Sequence, residues 1–258
     1  MEFLKFEKRG RVAVLTLNRP EVHNALNIGL IRELSEVLEA CEMDDDVKVI
    51  LLRGAGKSFC SGADLKDFFE FSCGRGNPLE FALKLHISVL KKMREIPKPI
   101  VGELKGYSIG AGLGLALATD YAIASKSAVF SCGFVLIGLS PDTGTSFFIP
   151  RSANFKRAFE LMASGRRFSA KEALEYGFVT EVVDDAMLER RVEEVIELLL
   201  NRPRTAIANL KKLLNVSHSN KLDEHLGFEL SLALLSTLST DFAEGVKAVL
   251  EKREPEFS

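Results

Sequence analysis

The chain has 258 residues, 47% of them hydrophobic and 27% charged, with 19 glycines and 8 prolines. That balance excludes a disordered, collagenous or low-complexity protein and leaves enough apolar side chain to bury a large core. Lys and Arg number 34 against 36 Asp and Glu, a formal net charge of -2; no cationic surplus is available for nucleic acid or a membrane surface, although a local basic site for a phosphate stays open.

At roughly 150 residues per domain the length allows one or two domains. The cysteines, Cys41, Cys60, Cys73 and Cys132, form no CxxC pair, and their spacing suits neither a zinc site nor a disulfide scaffold. They read as reduced thiols of a cytoplasmic protein. The N-terminus alternates charged and apolar residues and lacks the basic start and apolar run of a signal peptide. The most apolar run, Ile109 to Ala118, is far shorter than the ~20 residues of a membrane span.

Phe3–Glu7 and Val12–Leu17 alternate like strands around a turn at Arg9-Gly10. Ile28, Ile31, Leu34, Leu38 and Cys41 recur at helical spacing and predict an amphipathic helix over 28–42. Val47–Leu52 reads as a buried strand, residues 53–62 as a loop, and a short helix carrying Phe68, Phe69 and Phe71 follows. Leu79 to Arg94 reads as a helix, then Pro97 and Pro99 bracket a break before the strand Ile100–Leu104. Glycine-dense residues 106–114 lead into a helix ending near Ala118, and Tyr121–Ala124 and Ala128–Phe130 read as short strands. Strand, helix and strand in alternation predict an α/β fold with parallel pairing.

The last third differs. Ser169-Ala170-Lys171-Glu172 is a capping box, Asp184 is placed to cap a helix carrying Val192, Val195, Ile196 and Leu199, and Pro203 opens another. Helical stretches at 221–238 and 241–252 complete the chain. Leu226, Leu230, Leu234 and Leu235 make an apolar surface that packs either on the chain's own core or on another subunit.

No P-loop, HExxH, EF-hand or helix-opening GxGxxG is present. His86 falls in an apolar helical pattern and reads as a packing residue. Gly106-Tyr107-Ser108-Ile109-Gly110 has the GxSxG form of a nucleophile elbow, with Asp142 and His218 or His225 following in the order of serine hydrolases. That pattern arises readily by chance where glycine is abundant, and no HGGG-type oxyanion loop lies upstream. Two further turns pair naturally: Ser61-Gly62-Ala63-Asp64-Leu65, and Gly106 to Leu115. Each follows an expected strand and precedes an expected helix. Small residues there either let backbone N–H groups approach a ligand carbonyl or merely allow tight helix–strand packing.

A series of motifs in order carries a family resemblance: Leu17-Asn18-Arg19-Pro20 with Asn24-Ala25-Leu26; Lys57 to Leu65; Lys98-Pro99-Ile100-Val101; Gly106-Tyr107 with the glycine-rich turn; Gly138 to Thr145; Ser169 to Ala173 with Gly177; and Glu251 to Phe257. Over some 240 residues the chain resembles the enoyl-CoA hydratase/isomerase, or crotonase, family. The resemblance implies an α/β, crotonase-like spiral of repeated ββα units over 1–200. A C-terminal all-helical trimerisation region, 201–258, would follow. It implies an acyl-CoA thioester substrate and a homotrimer or dimer of trimers, with no metal and no cofactor beyond the coenzyme A of the substrate, and with neither nucleic acid nor membrane as partner. Oxyanion-hole amides map to Ala63 and Ala111. Coenzyme A contacts map to Ala63, Asp64, Leu65 and Lys66, the nucleotide site to Ala25 and Leu26, and a phosphate contact to Lys252, which reads equally as a surface lysine.

The chain also departs from the pattern. The two glutamates with which family hydratases activate water fall on Gly114 and Phe134, neither of which transfers a proton. Asp142 instead matches the aspartate-bearing subset that resembles ring-1,2-epoxyphenylacetyl-CoA isomerase and related enoyl-CoA isomerases. Phe134, Phe147 and Phe148 supply an apolar setting that would raise its pKa. Read locally, Asp142 after Pro141 is also an ordinary helix N-cap. The expected reaction is double-bond isomerisation of an enoyl-CoA with Asp142 as acid/base, in an acyl pocket to which Phe68, Phe69, Phe71 and Phe134 contribute. The alternatives are a hydratase using another carboxylate, such as Asp64 or Asp120, and a non-catalytic acyl-CoA-binding protein.

Overall fold

In a computed structural model, which describes residues 1–70 and 84–258, nine strands and eleven α-helices form a mixed α/β architecture. Strands β1 (Leu4–Arg9) and β2 (Val12–Leu17) form the expected antiparallel hairpin. β3 (Val49–Gly54), β4 (Ile100–Leu104), β6 (Tyr121–Ser125) and β9 (Glu181–Val183) extend it in parallel, giving the order β1-β2-β3-β4-β6-β9. A smaller sheet, β5-β7-β8, joins Tyr107–Ile109, Val129–Ser131 and Arg167–Ser169. From β4 onward the chain alternates between the sheets, β4 to β5 and β6 to β7, which is the strand–strand–helix turn of the expected spiral.

The large sheet is covered on both faces. Ala13, Leu15 and Leu17 of β2 pack on one side with Leu30, Leu34 and Leu38 of α1 (Ile28–Met43). Val12 and Val14 pack on the other with Leu188, Val192 and Val195 of the long helix after β9 (Leu188–Leu200). Every residue of β2 is therefore buried, as expected of a strand paired on both edges and covered by helices on both faces.

Several boundaries differ from the sequence reading. β5 lies inside the glycine-dense stretch read as a turn; it forms because β7 and the backbone of Cys60 supply partners that local periodicity does not reveal. Phe71, Cys73 and residues 79–83 lie outside the described residues, while α2 is Leu65–Glu70. The rest of the expected 79–94 helix is π-helical over Lys84–Lys91 and becomes α3 at Lys92–Glu95. Asp184 does not cap the next long helix, because its carboxylate pairs with Lys126 at 2.6 Å and a 3₁₀ turn intervenes. The capping box forms as read: Ser169 Oγ accepts from Glu172 N–H and the Glu172 carboxylate accepts from Ser169 N–H, opening α7 (Ala170–Glu175).

After β4 and β5 come α4 (Ala111–Ala118), α5 (Thr145–Ser152) and α6 (Phe155–Ser164); after β9 come α8 (Leu188–Leu200), α9 (Arg204–Val216), α10 (Leu222–Thr237) and α11 (Thr240–Glu251). Leu226, Leu230, Leu234 and Leu235 of α10 do not pack on the chain's own core; all four are exposed, and Leu232 is the buried leucine. Among the described residues no helix is long and apolar enough to cross a membrane.

Helix α9 is anchored by Lys211. Its buried ammonium donates to Met93 O (2.7 Å), Lys98 O (3.1 Å) and Asp120 Oδ2 (2.6 Å). Burial pushes this lysine below the usual range although Asp120 supports its charge. Asp120→Ala leaves that charge without a counter-ion and is expected to lower the unfolding free energy by about 3 kcal/mol, measured from the urea midpoint.

Candidate active site

The site begins at Asn24. Fully buried and with φ +58°, it sends Nδ2 to Ala55 O (2.9 Å), Ser58 O (2.7 Å) and Phe59 O (3.1 Å), pulling the loop after β3 into one shape. The loop then runs between two partners. On one side Leu26 N–H donates to Gly62 O (2.7 Å) and Asp64 N–H donates to Leu26 O (2.9 Å). On the other, Phe59 N–H donates to Lys105 O, Cys60 N–H to Tyr107 O and Ile109 N–H to Cys60 O.

In extended backbone, successive residues turn their hydrogen-bonding groups to opposite sides. Gly62 O and Asp64 N face Leu26, so the Ala63 N–H faces away from it. It finds no acceptor among the described residues. The same holds for Ala111 N–H, which opens α4 and belongs to the unpaired first turn of that helix. Gly62, at φ +101°, is the joint between the two: a Cβ added there would lie 2.8 Å from Ile109 O and 3.5 Å from Ala111 N. Only glycine gives both the backbone angle and the approach.

Ala63 and Ala111 line one cavity of about 270 Å³ together with Leu65, Phe134 and Asp142, all five expected at the site. Phe68 lines it as well, whereas Phe69 is exposed. The other expected residues do not line it. Leu26 is 0% exposed, so its side chain meets no ligand from solvent; its backbone holds the loop instead. Ala25 is buried beside it, its carbonyl accepting from Arg19 (2.7 Å). Asp64 is held by Arg19 at 2.9 Å and Lys66 is exposed. Lys252 is an exposed left-handed residue capping α11.

Asp142 is the carboxylate of this cavity. It is not a helix N-cap: α5 begins at Thr145 after Gly144, and only the backbone carbonyl of Asp142 serves the helix, accepting from Thr145 N–H and Oγ. Its Oδ1 is buried and finds no partner among the described residues. Oδ2 lies 4.0 Å from His86 Nε2. Burial, the larger effect, pushes the carboxyl above its usual range; a charge on His86 would pull the other way. Phe134 contributes to the apolar wall, while Phe147 is half exposed and Phe148 packs against Gly144.

The turn that carries Asp142 is strained. Thr143 is β-branched yet has φ +49°, and Gly144 follows at +74°. A left-handed threonine costs about 1 kcal/mol or more and persists only where surroundings hold it. Two contacts do so: Thr143 N–H donates to His86 Nε2 (2.9 Å), and Thr143 packs against Gly114. A Cβ on Gly114 would lie 2.3 Å from Thr143 O and 2.5 Å from its Oγ1. His86, read from sequence as a packing residue, thus reaches the site from a segment 57 residues away, a contact that no local pattern announces.

Other chemistries lack their parts. Ser108 is 0% exposed inside β5 and its Oγ finds no partner among the described residues, so the GxSxG match is not a nucleophile elbow. His225 pairs instead with Glu229, 3.5 Å away on its own helix. Burial pushes the Cys60 thiol up to about 12, and its S–H donates to Asn24 O, so it is no nucleophile either. Asp64 is engaged by Arg19, and Asp120 by Lys211 and Arg94 (2.9 Å), away from the cavity.

The enoyl-CoA hydratase/isomerase family model matches residues 7–258. The chain belongs to the enoyl-CoA hydratase/isomerase family. It is 36% identical to a 1,2-epoxyphenylacetyl-CoA isomerase of Escherichia coli, over 100% of this chain and 99% of that one. It is also 36% identical to a probable enoyl-CoA hydratase of Rhodobacter capsulatus, over 99% of this chain and 97% of that one. A solved enoyl-CoA hydratase structure from Polaromonas shares the fold at a TM-score of 0.93, with 31% identity and 99% of each chain covered. Both reaction types therefore occur among the relatives, and within this family the side chains that line the cavity must discriminate.

Gly114 bears directly on that discrimination. With the 142–144 turn packed on its Cα, no glutamate fits at this position of α4. Even the methyl of Gly114→Ala is expected to displace the turn visibly in a crystal structure and to destabilise the fold by roughly 1–3 kcal/mol through overpacking.

Proposed function

We propose that the chain is an enoyl-CoA isomerase in which Asp142 moves a proton between two carbons of the acyl group. The observation that carries this reading is the buried Asp142 oxygen without a partner, sharing one apolar cavity with two backbone amides that have no acceptor among the described residues. The thioester carbonyl would accept from the N–H groups of Ala63 and Ala111. Asp142, ionised, takes a proton from C2 of a 3-enoyl thioester. Charge moves onto the carbonyl oxygen, where each amide is worth about 3 kcal/mol to the barrier. The resulting carboxylic acid returns the proton at C4 as the dienolate collapses, leaving a 2-enoyl thioester and the original carboxylate. One carboxylate completes the cycle. Hydration needs a second group to orient water, and no other carboxylate lines the cavity among the described residues. Coenzyme A enters as part of the substrate.

Purified protein supplied with 3-enoyl-CoA is expected to form 2-enoyl-CoA. Asp142→Ala should lower kcat by a hundredfold or more while thioester binding persists. Fast hydration of 2-enoyl-CoA that survives Asp142→Ala overturns the assignment in favour of a hydratase; binding without turnover of any enoyl thioester points to an acyl-CoA-binding protein. The pH profile carries a sign. The first step needs the carboxylate, so kcat should fall as pH drops through the Asp142 pKa, and burial places that limb above the ~4 of an ordinary aspartate.

The four exposed leucines of α10 support association between copies, for which family membership implies a homotrimer or dimer of trimers. Leu230→Asp is expected to reduce the molar mass measured by light scattering to that of one chain.

A further inference from the structure

We propose that His86 is a positioning residue for the acid/base: in its neutral form it holds the Asp142–Gly144 turn through the Thr143 amide. The role rests on the isomerase reading of Asp142. Two distances converge on one ring nitrogen. His86 Nε2 lies 2.9 Å from Thr143 N, and a backbone amide only donates, so this nitrogen must carry a lone pair. The ring is therefore uncharged, with its hydrogen on Nδ1. The same Nε2 lies 4.0 Å from Asp142 Oδ2, too far for a hydrogen bond, and the lone pair is already engaged. The carboxylate is thus neighboured by the histidine without being bonded to it.

The amide that His86 accepts belongs to the strained residue. Thr143, at φ +49°, is the one non-glycine left-handed residue adjoining the cavity carboxylate. Of its two supports, the Gly114 contact is steric and only limits how far the turn moves toward α4. The bond to His86 is directional and sets the orientation of the peptide that follows Asp142. His86 lies on the π-helical stretch Lys84–Lys91, whose neighbour Leu85 lines the same cavity. π-helical turns are rare and concentrate at functional sites.

Protonation shows the role from the other side. A proton on Nε2 replaces the acceptor by a donor, so Thr143 N–H loses its partner. The imidazolium then faces Asp142 Oδ2, 4.0 Å from Nε2. An ion pair there would engage the base.

Two amides test this. In Gln the side-chain carbonyl reaches the position of Nε2 and can accept from Thr143 N–H; in Asn it reaches only the position of Nδ1. His86→Gln is expected to keep kcat for 3-enoyl-CoA isomerisation within threefold of wild type. His86→Asn should lose tenfold or more in kcat at a KM within twofold, because the amides proposed to hold the thioester carbonyl, Ala63 and Ala111, lie outside the turn. Melting curves and thioester affinity show that both variants are folded, and His86→Leu repeats the comparison should the Asn variant unfold. Equal kcat in the Gln and Asn variants, or a loss confined to KM, overturns the positioning role. Asp142→Ala run alongside separates the two readings. If Asp142→Ala still isomerises, the reaction assignment itself falls; if it is inactive while His86→Asn matches wild type, only the role of His86 falls.

Discussion

One constraint organises this molecule: the 59–64 loop is pinned along both edges of its backbone, and Ala63 is the residue left over. Leu26 takes the hydrogen bonds on one side, through Gly62 O and Asp64 N–H, and the 105–109 segment takes those on the other. Asn24 fixes the approach to the loop with three further bonds from one amide. The large sheet exists, in functional terms, to hold these edges. β3 leads into the loop and β4 leads to the segment that pairs with it, and both strands are buried between helical layers. An unpaired N–H in such a setting is costly unless something uses it. Here it shares a cavity with the free N–H at the start of α4, and Gly62 permits the two loops to touch.

The second half of the site is built on strain rather than on regular pairing. Asp142 stands on a turn with two successive left-handed residues, one of them threonine. The turn's own residues close it, Thr145 N–H and Oγ donating to Asp142 O, but they do not explain a left-handed threonine. It is held by a glycine on α4 that leaves space and by a histidine on a π-helical segment that supplies an acceptor. Strain of this kind is retained where neighbours over-determine it. It keeps a carboxylate in an apolar wall, where burial raises its pKa above the usual carboxylate range.

Gly114 links the two halves, since the 142–144 turn packs directly on α4 at this point. A glutamate cannot stand on α4 at a point where Thr143 occupies the space of its Cβ. The glycine on α4 and the seating of Asp142 thus belong to one packing arrangement.

Much of the fold was legible in the residues. Period-two and period-3.6 patterns located β1, β2, α1 and β4 to within a few residues, and the Ser169–Glu172 capping box forms as written, because these signals depend on neighbours a few positions apart. The order of small motifs was enough to assign the family, and with it Ala63, Ala111 and Asp142 as residues to bring together. Strand β5 was not legible, since its partners, Cys60 and β7, are distant in the chain. Nor was the role of Leu26, whose side chain is hidden while its backbone acts, nor the fate of Asp142, which local sequence read equally as a helix cap. His86 is the clearest case. An isolated histidine in an apolar helical pattern reads as packing, and only tertiary structure carries it across 57 residues to the amide of Thr143. Sequence alone determined most of the elements and which residue types are present for chemistry, because those follow from local spacing and residue identity. Tertiary structure alone decided which amides stay unpaired, which aspartate is buried without a partner, and which neighbour holds it, because those depend on contacts between segments that the chain keeps far apart.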